Sequence, residues 1–364
     1  MWFNTDVTEK LGIKFPIIQG PFGGGLSSVE LLATVSSAGG LGSYGVHNLA
    51  PEKIISLARR IRENTDSPFA LNLWVSDHDA DGLTITPEKY RETSEAFRPF
   101  YEKLNIDAPE FPGSVSEKYS EQVEAVLEAV PAVYSFVFGV PSADIISRCN
   151  VAGIKTIGAA TTPAEAVAIE AAGIDMVLAT GMDAGGHRPS FLQSAETSLV
   201  GTMALVPQVA DAVKIPVIAA GGISDARGIA ASMMLGAAGV QLGTAFLACN
   251  QSGTSDGHRA RLLGSAADHT VLSKAFTGRL ARFIETGFFA DITERQGEAL
   301  PFPMQAWFSG PMKAAASSQP ESDLYSYYAG QGASLLKHHD AAVLFASLVE
   351  ETSQILNPLN SITT

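Results

Sequence analysis

Short, continuously apolar runs alternate along this chain with longer stretches whose apolar residues recur at helical spacing. The runs at 15–20, 41–45, 69–75, 133–140, 155–160, 175–181, 216–222 and 239–243 read as strands. The stretches 27–38, 50–64, 115–129, 142–152, 163–172, 202–213 and 225–235 read as helices. The strands are apolar throughout, as a parallel sheet buried on both faces requires. Thr162-Pro163 with Glu165, and Ser224-Asp225, are helix starts, and Gly153, Gly173 and Gly236 are stops. Eight strands with seven clear helices match an α/β chain folded as a (β/α)8 TIM barrel over about the first 250 residues. A doubly wound sheet also alternates strand and helix. The count of eight, and the placement of the strongest glycine pairs after the seventh and eighth strands, favour the barrel. The expectation is therefore a barrel over 1–250 with an Asp-, Pro- and Glu-rich insert at about 76–114 after strand 3. Residues 251–364 are expected to form a mostly helical C-terminal extension packed on it.

Composition narrows the function. Apolar residues make up 46% and charged residues 17% of the 364, which excludes a disordered chain. Lys and Arg number 24 against 38 Asp and Glu, a net charge of −14. Such a surface repels phosphate backbones and anionic membranes, so neither nucleic acid nor membrane is an expected partner. Cys149 and Cys249 lie a hundred residues apart and make neither a disulfide framework nor a metal-type spacing, which fits a reducing cytoplasm. The opening MWFNTDVTEKLGIK has no apolar h-region, so no secretory signal is expected. No H-E-x-x-H, CxxC or G-x-S-x-G pattern occurs, and no metal site is expected.

In an α/β barrel the chemistry sits at the carboxyl ends of the strands. Gly221-Gly222 leads into the helix after Ser224, and Gly243-Thr244 follows the eighth strand. Glycines there let backbone N–H groups crowd an anion at a helix N-terminus, a phosphate site that needs no Lys or Arg. The same glycines also serve a tight barrel turn. Gln19 to Gly25 carries three consecutive glycines, with Gly23 and Gly24 open to a flat ring system or to a flexible turn. Asn72 is an amide inside an apolar strand, suited to a heterocycle's edge or to a neighbouring strand end. Thr180 to Arg188 follows the sixth strand directly, and His187 emerges from two glycines on an irregular loop at the rim. Its imidazole can move a proton near neutral pH. Arg188 is suited to an anionic substrate or to a carboxylate. His47 follows the second strand and is placed to line the mouth, whereas His78 lies in the insert. His258, His269, His338 and His339 fall outside the barrel strands. Phe22, Trp74 and Phe191 hint at an apolar pocket.

The segments PIIQGPFGGG (16–25), ATGMDAGGHR (179–188), PVIAAGGISDARG (216–228) and GVQLGTAFLA (239–248) together resemble the nitronate monooxygenases. VLSKAFTGRLARF (271–283) and Ala329-Gly330-Gln331-Gly332 resemble that family's C-terminal segments. The resemblance implies non-covalent FMN, with Asn72, Thr180, Gly185, Gly222, Gln241, Leu242, Gly243 and Thr244 around it and His187 as the catalytic histidine. Thr180 stands where many members carry Gln, and Pro189 follows Arg188 where many have Gly. The implied reaction oxidises a small alkyl nitronate with O2 to a carbonyl compound and nitrite, the flavin carrying the electrons. His187 is then the base for a neutral nitroalkane, or a hydrogen-bonding group for a preformed nitronate. The oligomeric state is not readable from the sequence.

The nearest alternative is an NAD(P)H-dependent flavin reductase of quinones or enoyl thioesters on the same barrel. A non-enzymatic phosphate-ligand barrel is a second. A phosphosugar aldolase or isomerase is a third, disfavoured because Lys155 lies at the start of its strand rather than at the catalytic end.

Overall fold

The apolar runs become eight parallel strands: β1 (Ile17–Gln19), β2 (Gly42–Gly45), β3 (Phe69–Trp74), β4 (Val133–Val137), β5 (Lys155–Ala160), β6 (Met176–Thr180), β8 (Val217–Ala220) and β9 (Gly239–Leu242). The intervening β7 (Gly186–His187) belongs to a second sheet. The structure is a computed structural model and describes residues 1–76, 85–113, 119–295, 298–319 and 322–360; His78 lies outside them. The barrel order runs β1-β9-β8-β6-β5-β4-β3-β2. Between the two ends, Gln19 N–H donates to the Leu41 carbonyl at 2.9 Å and Leu41 N–H to Ile17 at 3.0 Å, which closes the TIM barrel.

The helices, in chain order, are α1 (Asp6–Leu11), α2 (Val29–Ser37), α3 (Pro51–Arg62), α4 (Pro87–Lys103), α5 (Tyr119–Ala129), α6 (Ala143–Val151), α7 (Pro163–Ala171), α8 (Thr202–Ala212), α9 (Ala226–Met234) and α10 (Thr244–Leu247). They continue with α11 (Asp256–Leu263), α12 (Gly287–Glu294), α13 (Met304–Ser317) and α14 (Ala341–Asn360). Start signals act as the residue types dictate: the Thr162 hydroxyl accepts from Glu165 N–H ahead of Pro163, and Asp225 caps α9.

Burial separates the layers. Ile18, Ala70, Ile157, Leu178 and Ile218 fill the barrel interior together with Val7, Leu11 and Ile13 from and beside α1. Val7 lies against Gly239 at the start of β9, so α1 closes the amino-terminal end of the barrel. The opposite end stays available for chemistry.

A separate apolar cluster joins the insert to the extension. Tyr90, Phe97, Phe100 and Tyr101 of α4 pack with Phe276, Phe283, Phe288 and Phe308. The extension also contains β10 (Thr270–Ser273) and β11 (Ala281–Ile284), an antiparallel pair whose inner edge takes up β7. Among the described residues no helix is long and apolar enough to cross a membrane.

Candidate active site

The rim loop after β6 is held from four sides. Arg188, 1% exposed, donates from Nη1 to the carbonyls of Thr180 (2.9 Å) and Gly181 (2.6 Å) and from Nη2 to Ser198 (3.0 Å). Burial lowers its pKa from 12.5 to about 10, which still leaves it a cation at neutral pH. The Asp183 carboxylate accepts from the N–H (2.7 Å) and hydroxyl (2.8 Å) of Thr202. Buried Glu165 accepts from Phe191 N–H at 2.6 Å and Leu192 N–H at 3.1 Å. Arg282 Nε donates to the Met182 carbonyl at 3.0 Å.

These struts explain why Gly186–His187 is a strand and not the irregular loop read from its glycines. Gly186 takes φ +77°, which turns the chain so that His187 pairs with Ala281 of β11. Arg188 N–H then donates to Leu280 at 2.8 Å, and Pro189, lacking an N–H, ends the pairing.

His187 Nε2 lies 2.8 Å from Thr277 Oγ1. The Thr277 hydroxyl also lies 3.2 Å from the Arg279 carbonyl, which can only accept. With the hydroxyl proton on that carbonyl, Nε2–H donates to Thr277 and Nδ1 is the basic nitrogen. The ring keeps some solvent-accessible surface but sits deep among Trp74 (4.8 Å between centroids), Tyr328 (5.7 Å) and Phe138 (6.3 Å). Burial, then Arg279, His47 and Lys313, hold its pKa well below 6.5, so it is a neutral imidazole at pH 7.

The cofactor candidates gather on the same rim. Strand register aligns Thr180 with Ala220 and Ala220 with Gln241. It likewise aligns Gly45 with Asn72 on the far side. Thr180 Oγ1 is buried with no hydrogen-bond partner among the described residues. Asn72 Nδ2 donates to Ser135 Oγ at 3.0 Å, leaving its carbonyl oxygen as an acceptor. Gly222 has φ +69°, and a Cβ there would press on Asp183 at 3.1 Å. Gly221 lies against Thr202. A Cβ on Gly243 would meet only Phe22, at 3.9 Å, so the space before α10 is open. Thr244 Oγ1 accepts from Gly330 N–H at 2.9 Å. Gly185 backs onto Ala329 and Gly330, and Gly332 onto Gly222 and Ser224, so segment 329–332 lies across this loop cluster. Leu242 points into the layer between barrel and helices and reaches the rim only through its backbone. Gly23 packs directly on His47, while Gly24 has nothing within 4 Å of an added Cβ.

A glycine cradle beside a short helix start, with an orphaned buried hydroxyl on the next strand, fits the phosphate and ring edge of a flavin mononucleotide. A partly open cavity of about 10 Å³ lined by Ser224, Ala245 and Leu336 is no larger than a water requires.

Sequence reading did not find Thr277, Arg279, Lys313, Phe302 or Tyr328. All come from the extension, and no local pattern shows which barrel loop they cover. The one available signal was the resemblance of 271–283 to a family segment.

The nitronate monooxygenase family model matches residues 4–351. A probable nitronate monooxygenase of Staphylococcus saprophyticus is 39% identical over 360 residues, covering 98% of this chain and 100% of that protein. Among solved structures, a nitroalkane oxidase from Streptomyces ansochromogenes superposes with TM-score 0.88 at 32% identity, covering 97% of this chain and 99% of that one. FabK from Thermotoga maritima gives TM-score 0.76 at 28% identity and 99% coverage of both chains.

Proposed function

Because the chain belongs to the nitronate monooxygenase family and is a flavin-dependent oxidoreductase, we propose that it binds FMN and oxidises small alkyl nitronates with O2 to a carbonyl compound and nitrite. The observation that carries this reading is the placement of His187, its Nε2 2.8 Å from Thr277 Oγ1, on the rim that also carries the glycine cradle. Gly221, Gly222, Gly243 and Thr244 would hold the phosphate through backbone N–H groups and one hydroxyl. Asn72, Thr180 and Gln241 would meet the ring edge, with Gly23, Gly24 and Gly185 leaving room at its face. The bound flavin supplies the redox chemistry, taking electrons from the substrate and passing them to oxygen.

His187 Nδ1 can accept a proton from the α-carbon of a neutral nitroalkane. Once protonated, it can hydrogen-bond the nitronate oxygen. The surrounding aromatic rings exclude water, which strengthens that interaction. The purified protein should be yellow and release FMN on heating. Mixed anaerobically with propyl 1-nitronate, its visible absorbance should bleach, and admitting air should restore it with formation of nitrite. Bleaching by NADH or NADPH alone, with none by the nitronate, would overturn the proposal in favour of a reductase.

A further inference from the structure

Residues 328–332 cross the catalytic rim from one end of the candidate cofactor site to the other. At the first end Tyr328 is anchored. Its ring centroid lies 5.7 Å from that of His187 and 4.8 Å from that of Phe283, and its carbonyl accepts from His258 Nε2 at 2.9 Å. Just before it, Ile284 N–H donates to the Tyr327 carbonyl at 2.8 Å, which ties the segment to β11. At the other end Gly332 reaches the loop after β8. A Cβ there would lie 2.5 Å from the Gly222 carbonyl oxygen and 2.6 Å from Ser224 Oγ.

Between these ends two hydrogen bonds hold the segment down. Gln331 N–H donates to the Asp183 carbonyl and Gly330 N–H to Thr244 Oγ1, each at 2.9 Å. The fit is backbone against backbone: a Cβ on Gly185 would lie 2.5 Å from the Ala329 carbonyl carbon and from the Gly330 nitrogen. Thr244 is the joint. Its hydroxyl, on a residue 9% exposed, makes only the bond from Gly330 among the described residues. An amide N–H can only donate, so the hydroxyl is the acceptor in that bond and its own proton remains to be given. The space beside it is open, since a Cβ on the preceding Gly243 would meet only Phe22, at 3.9 Å. A buried hydroxyl that accepts on one side and donates on the other is polarised by both partners, and each bond strengthens the other.

We propose that residues 328–332 form a strap that completes the flavin phosphate site, with Thr244 coupling the two. The Thr244 hydroxyl donates to a phosphate oxygen while it accepts from Gly330, so the bound phosphate and the closed strap stabilise one another. The choice of a flavin phosphate rests on the function proposed above; the coupling rests on the Gly330–Thr244 bond and the open space beside it. Such coupling is reciprocal: the phosphate holds the strap down, and the strap slows loss of the cofactor. It favours FMN over riboflavin, which has no phosphate to receive the Thr244 proton.

The test follows flavin release, read as the rise in flavin fluorescence when the holoenzyme is diluted, together with amide hydrogen exchange of the strap. FMN should slow exchange at Gly330 and Gln331 about tenfold or more relative to the flavin-stripped protein, and more than at Ile284, outside the strap. Riboflavin at the same concentration should leave both strap amides as they are in the stripped protein. Gly330→Ala, whose methyl would press on the Asp183 carbonyl oxygen and the Gly185 nitrogen at 3.0 Å, should speed FMN release about 5- to 10-fold, the worth of a neutral hydrogen bond. Thr244→Val also removes the donor to the phosphate and should speed release about 50- to 100-fold, with Thr244→Ser restoring most of the loss. Both variants break one shared bond, so the double variant should release FMN at about the rate of Thr244→Val alone. FMN release unchanged in Gly330→Ala, multiplicative effects in the double variant, or equal strap protection by FMN and riboflavin would each overturn the strap and leave the cofactor assignment standing. A protein that binds neither flavin would overturn the cofactor reading itself. If Gly330→Ala fails to fold, the comparison of FMN with riboflavin in the unaltered protein decides.

Discussion

Replacing Arg188 by Met tests the claim that the catalytic rim is held by a buried guanidinium. Met preserves the length of the apolar stem and removes three hydrogen bonds, to Thr180, Gly181 and Ser198. A hydrogen bond from a charged donor is worth about 1.5–3 kcal/mol, which puts the gross loss at roughly 4–9 kcal/mol. Against this stands the cost of keeping the charge buried. The drop from 12.5 to about 10 corresponds to about 3 kcal/mol, to an order of magnitude. The expected net destabilisation is about 3 kcal/mol, near the lower end of what breaking a buried ionic network costs. For a chain of this length that is roughly a 4 °C fall in Tm. Two of the freed carbonyls, those of Thr180 and Gly181, lie at the end of β6, so His187 should lose its fixed approach to Thr277, and kcat should fall about 10- to 100-fold. Differential scanning calorimetry and steady-state kinetics on flavin-matched samples read the two effects. Arg188→Lys, which keeps the charge but not the fork, should recover only part of either. A variant with wild-type Tm and wild-type kcat would refute the strut.

Four further outcomes follow from the structure. His187→Ala should retain FMN and lose about 100-fold or more in kcat with a neutral nitroalkane, and less with a preformed nitronate. Thr277→Val, which frees the ring tautomer, should lower kcat by about tenfold, with Thr277→Ser restoring it; equal kcat in both variants would contradict the assigned tautomer. Gly222→Val and Gly243→Val should each lower flavin occupancy as purified, the first through its +69° φ and both by filling the cradle; full occupancy would contradict the phosphate assignment. His258 is buried neutral, with a pKa lowered from 6.5 to about 4, chiefly by desolvation. Between those values the unfolded chain binds a proton that the folded protein refuses, so stability falls as pH falls. In urea titrations His258→Gln, which keeps a donor for the Tyr328 carbonyl but cannot titrate, should lose about 2 kcal/mol less than wild type between roughly pH 6.5 and 4.5. Equal losses would show that His258 does not carry that acid sensitivity.

Much of this protein is legible from one-dimensional pattern, because barrel strands are short, apolar and locally punctuated. Ile17–Gln19, Phe69–Trp74 and Met176–Thr180 each lie within runs identifiable from the sequence, and Gly221-Gly222 after β8 and Gly243 after β9 fall where turns at the rim require them. His187 was identifiable because two glycines and a preceding strand determine its place along the chain. Its environment was not. The Nε2–H tautomer depends on Thr277, ninety residues away, and the ring's depressed pKa depends on Arg279, Lys313 and His47. The insert looked merely polar, yet α4 carries Tyr90, Phe97 and Tyr101 into a core shared with the extension. Local propensity sets which segments can be strand or helix. Only long-range packing, which buries aromatic faces and pairs β7 with β11, decides which distant side chains surround the histidine and what charge they present to it.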